Sequence, residues 1–86
     1  MMNYNDLPSF VKNSVILSED EKNRLSSIDK LPSEQEVDII RNLPEVLELT
    51  NAFIGDESTR DTHLQLKARE YLSKGDVFMA WKVLLL

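Results

Sequence analysis

Ser18-Glu19-Asp20-Glu21 and, fifteen residues on, Ser33-Glu34-Gln35-Glu36 are two copies of one helix-start device. In each, the serine hydroxyl can accept the backbone N–H three residues later, and the glutamate there can accept the N–H of the serine. Acids at 19, 20, 21, 34 and 36 also sit in a first turn, where the helix dipole favours negative charge. Ser58-Thr59-Arg60-Asp61 is a looser version that opens a third segment. Three such starts in 86 residues predict a mainly helical chain.

The ends are marked as well. Pro32 closes the helix begun at Ser18, and Pro44 interrupts the next, with Asn42 placed to cap a fresh start at Pro44-Glu45. Gly55 and Gly75, the only glycines, each follow a periodic apolar segment, where a left-handed C-terminal cap is wanted. The spacing predicts helices near 19–30, 34–42, 45–54, 59–73 and 77–86. A further helix over 7–16 competes with an extended reading of Val15-Ile16-Leu17.

Apolar stripes agree with these spans: Val37, Ile39, Ile40 and Leu43; Val46, Leu47, Leu49, Phe53 and Ile54; Leu64, Ala68, Tyr71 and Leu72. The 19–30 helix offers only Leu25 and Ile28 for burial, which predicts an outer position. No segment alternates strongly enough for a strand. The expected fold is all-α: a small bundle of five to six short helices in one domain, 1–86, whose C-terminal pair forms a helical hairpin. Residues 1–5 are expected to be disordered.

Composition removes most chemistry. No cysteine excludes disulfides, thiolate metal sites and cysteine nucleophiles, and two isolated glycines cannot make a phosphate-cradling loop. The lone His63, with Asp61 and Ser58 on nearly the same turn, reads as an exposed helix-face histidine rather than part of a triad. Asp56, Glu57, Asp61 and His63 match no metal-binding spacing. No Asp-Ser-Leu carrier site is present. The expectation is a protein without cofactor or metal, and not an enzyme. The opening Met1-Met2-Asn3-Tyr4-Asn5-Asp6 lacks a basic apolar leader, and no run reaches the ~18–20 apolar residues of a membrane span. Cytoplasmic location without a membrane partner is the resulting expectation.

Charge is uneven. Residues 19–57 hold eleven acids and four bases, residues 59–86 three acids and five bases, within a total of −5. Arg60, Lys67 and Lys74 recur every seven residues and share a helix face with His63. Two readings are open: a solvated face with Lys67–Glu70 and Glu70–Lys74 pairs, or a basic edge for an acidic partner or a second copy. A pI near 4.7, and Glu45 and Glu48 on the 45–54 helix, argue against nucleic acid as partner. The acidic stretch could instead imitate nucleic acid.

Residues 64–86 resemble a single tetratricopeptide repeat unit. Ala68 and Tyr71 stand on the first helix, Gly75-Asp76 in the turn, Ala80 and Leu84 on the second, and Leu64 takes the usual bulky position. Lys67 stands where that pattern has leucine, and no second copy follows at a spacing of 34 residues. The resemblance implies a helical hairpin in a scaffold that binds other proteins, and it supplies no catalytic residue.

The last ten residues, Val77 to Leu86, are apolar except Lys82 and face every direction around a helix. Such a helix is either the centre of a bundle or the docking face for something outside the chain. The leading functional expectation is a small acidic interaction module of chaperone, adaptor, inhibitor or immunity type, binding another protein or a second copy. Phe78, Trp81 and Leu85, with Tyr71, supply its apolar contact, and Arg60, Lys67 and Lys74 its orientation. The alternative is a transcriptional regulator, or an acidic mimic of nucleic acid that occupies a basic site on another protein.

Overall fold

Both serine boxes close. In the computed structural model, which describes residues 3–51 and 57–86, Ser18 Oγ accepts the Glu21 N–H at 3.1 Å and Glu21 Oε1 accepts the Ser18 N–H at 2.8 Å. Ser33 and Glu36 repeat the exchange at 3.2 and 3.1 Å. The boxes start α2 (Glu19–Leu25) and α3 (Glu34–Ile40). Before them come a 3-10 turn, Tyr4–Asp6, and the one-turn α1 (Ser9–Lys12). After them follow α4 (Pro44–Asn51), α5 (Glu57–Ser73) and α6 (Val77–Leu84). All regular structure among the described residues is helical, and α5 and α6 pack as a hairpin.

Several boundaries differ from expectation, each for a local reason. α2 ends at Leu25 rather than Lys30, because Ser26 Oγ and Ser27 Oγ donate to the carbonyls of Asn23 and Arg24 at 2.6 Å. Serine hydroxyls compete with the backbone for such carbonyls and favour helix ends. The helix expected over 7–16 contracts to α1. Beyond it Ser14 Oγ accepts the N–H groups of Ile16 and Leu17 and donates to Gln65 Oε1 at 2.5 Å, so that stretch turns. Asn3 and Tyr4–Asp6 are drawn into the 3-10 turn, and Tyr4 Oη donates to Glu19 Oε2 at 3.0 Å. The N-cap of α4 is Leu43, whose carbonyl accepts from Val46 and Leu47, and not Asn42. Pro44 takes the first helical position, where its missing N–H costs nothing. α5 already runs at Glu57, so Ser58 lies within the helix instead of ahead of it. Phe53, Ile54 and the expected Gly55 cap lie outside the described residues.

The central element is α6. Ala80, Trp81 and Val83 are fully buried and Leu84 nearly so, against Leu64, Ala68, Tyr71 and Leu72 of α5, Leu25 of α2 and Ile40 of α3. Leu7, Val11 and Leu17 close the same core from the N-terminal side. Of the two readings of the apolar terminus, the bundle centre is the one realised for Trp81. α2 is correspondingly not peripheral. Its Leu25 is fully buried, and the Leu25 carbonyl, orphaned at the helix end, accepts the Trp81 indole N–H at 2.7 Å.

Two buried charges fasten α2 on its other sides. Lys22, 5% exposed, donates to the Lys12 carbonyl at the end of α1 at 2.9 Å and pairs with Glu19 at 3.5 Å. Glu21 bonds Arg69 Nε of α5 at 3.0 Å, and Arg24 donates to the Leu72 carbonyl at 3.0 Å.

The α5–α6 turn is short, only residues 74–76. Asp76 N–H donates to the Tyr71 carbonyl at 2.9 Å and Gly75 N–H to that of Leu72 at 3.0 Å, the paired bonds of a Schellman cap. Gly75 sits at φ +79°, and Asp76 then caps α6 by accepting the Met79 N–H at 3.1 Å. A Cβ at Gly75 would meet no atom within 4 Å, so only the backbone conformation resists substitution. Gly75→Ala is therefore expected to cost about 1 kcal/mol, a fall in Tm of roughly 4–8 °C, measurable by thermal circular dichroism.

Candidate functional site

The seven residues expected to meet a partner do not form one surface. Trp81 is 0% exposed and spends its indole N–H inside the chain. Tyr71 is buried, its ring flanked by Lys67 Nζ at 5.6 Å and Lys74 Nζ at 5.7 Å. Phe78 is 38% exposed beneath Lys82 Nζ at 4.7 Å, and Leu85 is half-buried against the core. Arg60 Nη2 donates to the Leu86 carbonyl at 2.6 Å. Lys67 pairs with Glu70 at 2.9 Å and Glu45 at 3.6 Å. Of this basic edge, then, Lys67 is paired with carboxylates, while Arg60 is held by a carbonyl and Lys74 lies over a ring.

Electrostatics follow from those contacts. The Lys67 hydrogen bond holds the Glu70 carboxyl below its ordinary range and raises the ammonium above its own. Burial pushes the Glu21 carboxyl up, but the Ser18 backbone and hydroxyl and the Arg69 guanidinium outweigh it and bring the pKa below the usual value. Burial pushes the Tyr71 phenol up to about 12, with the Glu45 carboxylate adding to it. Among the described residues, Tyr71 Oη is buried with no hydrogen-bond partner. Removing an unpaired buried hydroxyl while keeping the ring relieves a desolvation cost. Tyr71→Phe is therefore expected to keep or slightly raise Tm, and the wild-type phenol to ionise in ultraviolet titration only near pH 12.

His63 is half-buried rather than exposed, with Nδ1 2.7 Å from the Thr59 carbonyl of its own helix. The carbonyl requires Nδ1 to be the protonated nitrogen. Asp61 is exposed. Asp56 and the side chains of Glu57 and Ser58 lie outside the described residues. Among the described residues no three His, Asp or Glu side chains are placed to hold a metal ion.

What the structure does bring together is a set of depressions of mixed polar and apolar lining around the end of α6. One, about 390 Å³, lies between Phe10, Leu64 and Leu84–Leu86, with Arg60, Asp61 and Gln65 beside them. A second, about 570 Å³, lies between Leu31, Pro32, Val37 and Leu85, rimmed by Glu34, Asp38 and Arg41. A third, about 160 Å³, joins Leu47, Thr50, Leu64 and Leu86 between Arg41 and Arg60. Phe10 is 45% and Leu47 44% exposed at their edges. Of these residues, only Leu85 and Arg60 are among those the sequence marks for contact with a partner. Phe10 stands alone on a one-turn helix, too short for periodicity to mark a face.

Comparison with protein-family models, with curated proteins and with solved structures finds no match.

Proposed function

We propose that the protein works by binding another protein through the apolar surface around the last turn of α6. The carrying observation is that three depressions converge on Leu85 and Leu86, with Phe10 and Leu47 exposed at their edges. Contiguous apolar surface on a small chain marks an interaction site more often than chance exposure does. The docking role expected of Trp81 passes to residues at the end of its helix. A chaperone, adaptor, inhibitor or immunity-type protein uses such a face, and the tetratricopeptide-like hairpin of residues 64–86 supports a scaffold role. No described helix is long and apolar enough to cross a membrane. A cytoplasmic protein without cofactor or enzymatic activity remains the reading.

Mimicry of nucleic acid has less support. Glu19, Asp20 and Asp38 each pair with a base three or four residues on, Lys22, Arg24 and Arg41, which breaks up any phosphate-like row.

The test is affinity capture from the source cell with wild type and a Phe10→Ser/Leu47→Ser variant, alongside light-scattering mass. The reading predicts a protein held by wild type and lost by an equally helical variant. A mass near 20 kDa that the variant halves would make a second copy the partner. Capture unchanged by the variant, or no capture with a mass near 9.9 kDa at every concentration, contradicts it.

A further inference from the structure

Of the ten lysines and arginines, nine are engaged by the chain itself. Four donate to main-chain carbonyls, and two of these, Lys22 and Arg24, also pair with carboxylates; three more pair with carboxylates, and Lys74 and Lys82 lie over aromatic rings. The acids outnumber them, and Glu34, Glu48 and Asp61 have no ion pair among the described residues. With a net charge of −5, the excess on the chain as a whole is negative.

Of the three depressions, the one between α3 and the end of α6 is the largest and joins both requirements. Leu31, Pro32, Val37 and Leu85 line it together with Glu34, Asp38 and Arg41. On its rim Asp38 and Arg41 neutralise each other, which leaves the Glu34 carboxylate as the uncompensated charge.

We propose that this groove binds a basic amphipathic segment of a partner protein, apolar side chains on Leu31, Val37 and Leu85, and a lysine or arginine at Glu34. The proposal rests on the protein-binding reading and specifies its partner's chemistry. An apolar helix face seated in a groove supplies the contact area, while opposite charge sets orientation and association rate.

The test is an NMR titration of the intact chain with a designed helical Lys/Leu peptide and a Glu/Leu peptide of the same apolar spacing. Amide shifts at Glu34, Val37 and Leu85 are expected with the first and not with the second. Glu34→Lys, or Glu34→Gln should the former perturb folding, weakens binding about fivefold, as loss of one well-placed charge contact does. Glu48→Lys changes net charge equally with Glu34→Lys but lies outside the groove, and should alter affinity less than about twofold. Equal losses would mean diffuse attraction and overturn the groove. Shifts at Phe10 and Leu64 alone would overturn it too, yet leave the protein-binding reading standing. Absence of shifts with either peptide overturns the proposal. The broader reading falls only if the capture experiment also fails.

Discussion

Trp81→Ala is expected to leave the protein largely unfolded at ambient temperature. Truncating a fully buried aromatic costs about 3–5 kcal/mol through lost transfer free energy and the cavity left behind. A chain of this length has a total stability of roughly 4–13 kcal/mol, toward the low end where the core is thin. Trp81 touches more than apolar neighbours, since its indole N–H also satisfies the Leu25 carbonyl at the end of α2. Trp81→Phe separates the two contributions. It keeps most of the ring, strands a buried carbonyl, and should cost about 1–3 kcal/mol. Phe78→Ala, three residues earlier and partly exposed, should cost far less than Trp81→Ala. Urea unfolding followed by circular dichroism ranks the three. Equal losses at Phe78 and Trp81 would contradict the placement of α6.

Glu21→Ala carries the second large effect, about 2 kcal/mol, because one carboxylate serves two structures. Oε1 closes the box at the start of α2, and Oε2 holds Arg69 of α5, 48 residues away. Glu21→Gln keeps an acceptor for the Ser18 N–H but loses the charge, and should cost about half as much. The same residue sets a pH dependence. Its folded pKa lies below the ordinary 4.5, so its contribution is complete above that value and disappears as pH falls through the folded pKa. Glu36 and Glu70 are shifted in the same direction, so acid should weaken the fold below about pH 4.5 in wild type. The decline should be shallower in Glu21→Gln. Urea midpoints measured across that range check both slopes, and parallel curves would count against Glu21.

Local signals were the legible part of the fold. Serine boxes at 18 and 33, Pro44 at a helix start and Gly75 at a helix end act through neighbouring backbone groups, so a few residues of sequence suffice to find them. The shortening of α2 was also written locally, in the Ser26-Ser27 pair, and was outweighed by the apolar spacing of Leu25 and Ile28. What covers α6 was not legible. Helical periodicity says that a face is buried and not by which element, and the bond from Trp81 to Leu25 spans 56 residues. The basic stripe of Arg60, Lys67 and Lys74 had the same defect. Its spacing and the local Lys67–Glu70 pair were visible, but Glu45 and the Leu86 carbonyl, which also engage it, come from distant segments. The groove beside α3 is made by Leu31, Val37 and Leu85 meeting across the bundle, and no single-helix pattern announces it.

The central claim is that the apolar C-terminal helix is the core of one chain. Hydrogen exchange at the Trp81 indole N–H tests it most directly. A proton donated to a buried carbonyl exchanges only when the core opens, so the rate should match the slowest amides of α5 and be the same at every protein concentration. Rapid exchange, or protection that disappears on dilution, would place Trp81 at a surface or between copies and contradict the account.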